Sequence, residues 1–439
     1  MANTYLTRTP SSAGNRRTWT WSSWIKRSTT GSEYVYSWGY NEHNVDGFNF
    51  DSNDKINVWG YQSGTNYSLL TNRRFKDVNG YYHIVIKYDS TQATASNRLK
   101  IYVNGVQETS FSPETYPNQN HEALVNNTIA NRIGQFGWNN DDYFSGVISH
   151  IHFIDGTAYE PSTFGSTDST TGEWKINPSP TISSYGTNGF FLLKDGNTIT
   201  DQSPNSNNYT LAGGTLTKTE DNPSNVFATL NPLVYNTSNK VYGFGNTAIT
   251  SSPNNSGEWQ STQTTLGAST GKYYCEIKMN AIGNYHNLGV GYQPNITNVT
   301  STLNIGELSG SFGYRNNGGT LNSGSTGTSL STYTTGDIIG VAMDLTNSKL
   351  YFSKNGTWEN SGNPESGATG TGSLTNLTAG EAYHFVIAPR GSSTYCNFGN
   401  GYFGTTAVSS AGTNASGIGI FEYDVPTGYT ALSTKGLNL

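Results

Sequence analysis

Apolar residues in this chain recur at every second position over short runs, and the runs stop at clusters of Gly, Asn, Asp, Ser and Thr. Trp19, Trp21 and Ile25 share one parity; Tyr82, Ile84, Ile86 and Tyr88 share another, which Leu99, Ile101 and Val103 continue. A period of two is the signature of a strand with one buried face. Two segments repeat one construction: Tyr88-Asp89-Ser90-Thr91 is followed by Leu99-Lys100-Ile101-Tyr102-Val103-Asn104-Gly105, and Met343-Asp344-Leu345-Thr346 by Leu350-Tyr351-Phe352-Ser353-Lys354-Asn355-Gly356. In each, an alternating strand ends in Asp, a polar turn follows, a second strand runs on, and Asn-Gly supplies the φ > 0 geometry of a tight hairpin. The chain therefore reads as two similarly built antiparallel β domains in tandem. That plan favours paired recognition modules over one large catalytic fold.

Composition supports an all-β chain. There are 51 Gly and 29 Tyr among 439 residues, charged residues make up only 12%, and no Leu-rich helical heptads occur. The pattern predicts two antiparallel sandwiches of jelly-roll type. The first spans residues 1–165 and closes on Phe144-Ser145-Gly146-Val147-Ile148 through Gly156; the second spans 227–439. Residues 166–226 are a connector rich in Ser, Thr, Pro and Gly, with Pro178 and Pro180 as breakers, yet Gly189-Phe190-Phe191-Leu192-Leu193 reads as a strand. We expect this stretch to dock on a sandwich as extra strands, because a structureless loop of about 60 residues is rare.

The net charge of -6 argues against a nucleic-acid partner, which needs clustered Lys and Arg. The doublets Arg16-Arg17 and Arg73-Arg74 read as solvated surface. The opening residues lack a basic segment followed by an apolar one, and no run of about 18 apolar residues occurs, so neither secretion by a signal peptide nor membrane insertion is expected. The polar, charge-poor composition nonetheless suits a protein working outside cells. A virion component, assembled in a host cytoplasm and released by lysis, satisfies both observations.

Only Cys275 and Cys396 are present, both on predicted strands, so there is no disulfide framework and no Cys-based zinc site. A pair of buried free thiols and a bridge both fit that placement.

Several ordered motifs carry resemblances. The Tyr-Leu-Thr-Arg-Thr-Pro opening, Trp19-Thr20-Trp21-Ser22-Ser23-Trp24-Ile25-Lys26, Tyr81-Tyr82-His83-Ile84-Val85, Lys100 to Gly105 and Phe144 to Ile148 resemble the laminin-G-like, concanavalin A-like jelly roll. The version common in tail and surface proteins of marine bacteriophages is the nearest likeness. Gly271-Lys272-Tyr273-Tyr274-Cys275-Glu276-Ile277, Leu288-Gly289-Val290-Gly291, Gly336 to Asp344, Leu350 to Gly356 and Asn397-Phe398-Gly399 follow the order typical of the SPRY domain, with Cys275 where that family usually carries Trp. The resemblances imply two twisted sandwiches that bind glycans or proteins through edge loops.

Motifs for chemistry are sparse. Gly267-Ala268-Ser269-Thr270-Gly271-Lys272-Tyr273 is one residue short of a phosphate loop, has Tyr where magnesium needs Ser or Thr, and leads into a strand. His150 and His152 stand two apart on a strand, as metal ligands often do, but without acidic or Cys neighbours they read as alternation, and no metal is expected. No strand-borne Glu-x-Asp-x-x-Glu run, no Gly-x-Ser-x-Gly elbow and no His-Glu-x-x-His helix is read in the chain. No enzyme activity, catalytic residue or cofactor is therefore expected. Trp138, Asn140, Asp141, Asp142 and Tyr143 offer carboxylates, amides and two aromatics on one loop, the oxygens suited to calcium and the rings to a sugar face. Tyr314, Arg315 and the tip near Trp358 lie where the SPRY resemblance implies a binding surface. The expectation is a non-catalytic structural and binding protein of a phage particle, tail-associated or capsid-decorating. Its partners would be other virion proteins and host surface glycan, and a symmetric homo-oligomer is expected by analogy. The alternative is a soluble lectin-like accessory protein or enzyme acting on host glycan.

Overall fold

The computed structural model describes residues 3–41, 43–137, 142–194, 198–234, 239–251, 259–292 and 304–439, Asn284 by its backbone only. The chain divides into two compact units, Met1–Lys218 and Thr219–Leu439. Strands are numbered in chain order.

Among the described residues, the first unit pairs an eight-stranded sheet with a six-stranded one. The larger runs β10 (Phe111–Thr115), β6 (Thr65–Arg74), β5 (Lys55–Gln62), β4 (Asn44–Phe50), β3 (Glu33–Asn41), β11 (Asn131–Ile133), β1 (Tyr5–Arg8), β16 (Thr210–Gly213). The smaller runs β15 (Phe190–Leu192), β12 (Gly146–Asp155), β2 (Thr18–Arg27), β7 (Tyr82–Asp89), β8 (Leu99–Val103), β9 (Val106–Gln107), and β13 (Gly165–Thr167) with β14 (Trp174–Ile176) forms a separate hairpin. The alternation works as period two requires. Trp19, Trp21 and Ile25 of β2 and Ile84, Ile86 and Tyr88 of β7 meet Tyr36, Trp38, Phe48, Val58 and Leu69 of the facing sheet in one core. Trp21 stacks on Tyr36 with ring centroids 4.1 Å apart. The other face of the six-stranded sheet is also covered: Val85, Tyr102 and Ile154 bury against Phe164, with Tyr159, Ile182 and Tyr185 packed alongside. The stretch read as a connector is thus shared between the units. Its strands β15 and β16 extend β12 and β1, and the second unit begins at Thr219.

In the second unit β17 (Lys240–Gly243), β18 (Ala248–Ser251), β27 (Tyr383–Asn397), β20 (Lys272–Tyr292), β21 (Ser311–Arg315), β22 (Thr320–Asn322) and β23 (Ser325–Thr326) follow one path. β19 (Thr262–Gln263) joins β27, β30 (Thr430–Ala431) joins β20 in parallel, and β24 (Ile338–Asp344), β25 (Lys349–Lys354) and β26 (Thr357–Trp358) continue from β20; β28 (Tyr402–Phe403) and β29 (Thr406–Ala407) form a small hairpin. Cys275, Ile277, Leu288, Val341, Phe352 and Phe385 share the main core. Cys275 and Cys396 lie on adjacent strands, with Ile277 opposite Cys396, and both are free, buried thiols whose pKa burial raises.

The two Asn-Gly turns have the same geometry. Asn104 and Gly105 have φ of 50° and 79°, Asn355 and Gly356 have 48° and 81°, and each turn links strands paired in register. In each, the Asn carboxamide accepts from the start of the preceding strand: His83 N at 2.8 Å from Asn104 Oδ1, Ile338 N at 2.9 Å from Asn355 Oδ1. A side chain here substitutes for a missing strand neighbour.

Candidate functional site

Two of the residues expected on the loop after Gly137 are described, Asp142 and Tyr143; Trp138, Asn140 and Asp141 lie outside the described residues. Asp142 is exposed, has φ of 55°, and its carbonyl accepts from Tyr34 N at 3.0 Å. That bond seats Asp142 on β3, where Tyr34 and Tyr143 form a bridge. Burial, and then the nearby Asp142 charge, raise the Tyr34 pKa. Gln135 Nε2 donates to Tyr143 Oη at 2.7 Å and Arg132 Nη1 donates to Gln135 Oε1 at 2.8 Å. The Arg132 guanidinium lies 5.3 Å from the Tyr5 ring centroid, and Tyr5 and Tyr143 are 6.2 Å apart.

Tyr143 stands at the border of the eight-stranded sheet, beside Tyr34 of β3. Because Tyr36, Trp38, Phe48, Val58 and Leu69 point into the core, the opposite parity points out. Register places Thr7, Arg132, Ser37, Gly47, Trp59, Ser68 and Thr115 in one row across that face. The row carries hydroxyls, a guanidinium and an indole, and no carboxylate. Trp59 is half-buried; its Nε1 donates to Asn49 Oδ1 at 3.1 Å. A Cβ on Gly47 would stand 2.9 Å from that nitrogen, so only glycine lets the indole lie against the sheet. Phe136 stacks on Tyr34 at 4.3 Å and lies 6.2 Å from Trp59. Tyr5, Tyr34, Trp59, Arg132, Gln135 and Phe136 were not singled out in the sequence. Trp59 left a readable signal, an aromatic on the polar parity of β5 beside Asn57 and Tyr61.

The second-unit candidates differ from expectation. Tyr314 is a core residue, not a loop anchor: its side chain is 0% exposed, its ring packs 4.9 Å from Tyr333 and 5.3 Å from Phe352, and its hydroxyl donates to Ser331 O at 2.5 Å. Alternation on β21 sends Phe312 and Tyr314 inward together. Arg315, partly exposed, pairs with Glu307 at 3.2 Å. Trp358 is half-buried beside its own hairpin, 6.4 Å from Tyr274. The structure does not gather these three side chains at one exposed site.

Arrangements that look catalytic on paper are resolved by their hydrogen bonds. Ser22 Oγ lies 2.9 Å from His83 Nε2, but Trp174 Nε1, which can only donate, lies 2.9 Å from His83 Nδ1. The proton is therefore on Nε2 and points at Ser22, so this histidine cannot take the serine's proton there. Burial also lowers the His83 pKa to about 3. His150 and His152 do not form the regular pair that alternation predicts: the β12 ladder shifts between Ser149 and His152, and His150 has φ of 49°. His152 is buried, stacked 3.9 Å from Phe191, with Nδ1 2.9 Å from Tyr185 Oη. Gly267-Ala268-Ser269-Thr270-Gly271 also spells Gly-x-Ser-x-Gly, yet it opens onto β20 rather than a helix.

Comparison with known proteins follows this division. Residues 2–162 match the profile of the concanavalin A-like lectin/glucanases superfamily, and residues 259–375 match that of the SPRY domain. The chain thus carries the two domains in tandem. No curated protein matches it. Among solved structures it is similar to the SPRY domain of human HERC1, with 18% identity over 38% of this chain and 96% of that one and a TM-score of 0.30. It is similar also to the TRIM65 PSpry domain (16% identity, 38% and 89% covered, TM-score 0.28) and to a heptameric SAP-like pentraxin from Limulus polyphemus (15%, 36% and 72%, 0.28). Domains of these two kinds usually mediate binding or protein interaction.

Proposed function

We propose that the chain is a non-catalytic binding protein of a phage particle surface, and that its first unit holds an uncharged glycan on the outer face of the eight-stranded sheet. The observation that carries the glycan reading is the half-buried Trp59, laid against Gly47 beside Phe136, on which Tyr34 stacks. An indole flanked by hydroxyls and amides meets the apolar face of a sugar ring and its hydroxyl rim at once. Arg132 is already committed to Gln135 and Tyr5, which disfavours a ligand recognised by its negative charge. The carboxylate-free row supports binding without hydrolysis, since glycosidases need a carboxyl pair about the scissile bond. The particle assignment is supported by the tandem of two binding domains on a charge-poor chain.

A glycan array with the whole chain, repeated with Trp59→Ala, tests the site. Loss of a stacked aromatic should weaken binding by about 1–2 kcal/mol, or roughly ten-fold, with no change in the urea midpoint. Equal binding by both proteins would remove Trp59 from the site, and silence of the native chain across neutral glycans would remove the glycan reading. Mass spectrometry of purified particles tests the location, and absence of the chain from them would refute it.

A further inference from the structure

We propose that Asn79-Gly80 is a site of spontaneous deamidation, selected by the fold from six Asn-Gly pairs in the chain. In this reaction the main-chain nitrogen of the glycine loses its proton to solvent base and attacks the Asn Cγ. A C–N bond closes a five-membered imide while the bond from Cγ to Nδ2 breaks and ammonia leaves. Water then adds to either imide carbonyl, giving aspartate or isoaspartate, with no oxidation or reduction. Two conditions follow: the glycine N–H must be unengaged, and the carboxamide must be able to swing onto it.

Five pairs fail one condition or the other. Asn104 and Asn355 are pinned through Oδ1 by the main-chain N–H groups of His83 and Ile338, and Asn355 Nδ2 also donates to Asp337 at 2.8 Å. Asn188 is 2% exposed and donates through Nδ2 to Ser12 O and Asn126 Oδ1. At the other two the nucleophile is occupied: Gly318 N donates to Arg315 O at 2.9 Å and Gly401 N to Asn397 Oδ1 at 3.1 Å. Each such bond must be broken before the ring can close.

Asn79-Gly80 meets both conditions. It lies between β6 and β7 and is partly exposed. Among the described residues the buried Asn79 Oδ1 accepts no hydrogen bond, so nothing pins the carboxamide through it, and the Gly80 N–H donates to none. Around Gly80 the nearest atom to a built Cβ is Asp77 Oδ2 at 3.9 Å, so nothing crowds the ring as it forms. Asp77 Oδ1 accepts from Asn79 N at 2.8 Å, which holds the turn while leaving the reacting atoms free. Conversion would place a second carboxylate beside Asp77, in the same turn as Phe75, whose carbonyl accepts from the buried Arg27.

The test is to incubate the full chain at mildly alkaline pH, native and in urea, and to quantify Asn, Asp and isoaspartate at all six positions by peptide mass spectrometry. In the native chain Asn79 should convert at least about ten-fold faster than the other five, a barrier difference of about 1.4 kcal/mol. In urea the six rates should converge. Gly80→Ala, whose Cβ would meet only Asp77 Oδ2 at an ordinary 3.9 Å, should slow conversion at Asn79 alone and leave melting unchanged. The proposal is overturned if Asn104 or Asn355 keeps pace with Asn79 in the native chain, if Asn79 is as slow as the rest, or if its lead persists undiminished in urea, which would assign it to flanking residues.

Discussion

At the scale of single residues, the strongest constraint in the first unit is Arg27, which is 1% exposed. Its Nε donates to Glu33 at 2.9 Å, Nη1 to Asp54 at 3.0 Å and to Phe75 O at 2.8 Å, Nη2 to Gly31 O at 2.9 Å, and the guanidinium covers the Phe50 ring at 4.2 Å. Desolvation outweighs this cation at Glu33, whose pKa is raised despite it. Arg27→Ala would leave the buried Glu33 without its cation and Asp54 with only Lys76 at 3.7 Å, and should destabilise the unit by about 3–5 kcal/mol, read as a lower urea midpoint. Arg27→Lys should recover little, because a point charge cannot satisfy four acceptors arranged for a planar fork. A loss below about 1 kcal/mol from Arg27→Ala would rank this cluster with exposed ion pairs and contradict the assignment. The sequence shows Arg27 only as one more basic residue at a strand end, since its partners come from three later segments. Tyr314 misleads for a related reason. The turn signal of Asn316-Asn317-Gly318 is strong and local, while the burial of Tyr314 depends on Tyr333 and Phe352, far along the chain.

At the scale of elements, the two Asn-Gly hairpins were legible because a tight turn is written in consecutive residues. Both glycines also sit beneath an aromatic from a distant segment: a Cβ on Gly105 would come within 2.4 Å of the Trp174 ring, and one on Gly356 within 2.6 Å of the Tyr423 ring. Valine at either position would combine a forbidden positive φ with that collision. Gly105→Val and Gly356→Val should therefore each destabilise by at least about 1–3 kcal/mol. Calorimetry should show the first lowering one transition and the second lowering the other; a single transition moved equally by both would refute two cooperative units. Other elements were illegible for a shared reason. The shift in β12 between Ser149 and His152 leaves no mark on apolar alternation, and β16 belongs to the first unit because it pairs with β1, about two hundred residues earlier in the chain. Local pattern gives strands and turns, but it is silent on which distant strand completes a sheet. The outer-face row holding Trp59 exists only once β5 is set beside β4 and β6, so local pattern could not show it.

At the scale of the whole molecule, each unit contains a buried carboxylate that main-chain N–H groups hold and that burial nonetheless raises to about 7, and these two bear on its response to pH. Asp46 Oδ2 accepts from Leu124 N at 2.7 Å and Val125 N at 3.1 Å; Glu276 accepts from Tyr423 N and Glu422 N, both at 2.8 Å. Burial raises both pKa values to about 7. A carboxyl raised by folding holds its proton more tightly in the fold, so its stabilisation is complete below the unfolded value near 4 and disappears as pH rises through about 7. The buried histidines act in the opposite sense. His83 and His286 are lowered to about 3, and His152 is lowered well below its usual value, all first by burial. The unfolded chain therefore takes up protons below about 6.5 that the fold refuses, and stability is lost as pH falls. Between about pH 7.5 and 5 each such histidine costs about 2 kcal/mol, while Asp46 or Glu276 offsets about 3. Carboxylates held low by hydrogen bonds, such as Asp89 and Asp337, act at more acid pH and do not enter this window. Glu33, also raised by burial, joins Asp46 against His83, His152 and His121 in the first unit, and Glu276 opposes His286 and His384 in the second, so in each unit the two sets work against one another and each calorimetric transition should move less than either set alone would move it. Asp46→Asn removes one part of the balance: on acidification its first-unit transition should fall by about 3 kcal/mol more than in the native chain, with the second unchanged. Glu276→Gln should produce the reverse pattern. If Asp46→Asn kept the native pH profile, Asp46 would have to remain ionised throughout the window, and the main-chain N–H groups of Leu124 and Val125 would outweigh its burial.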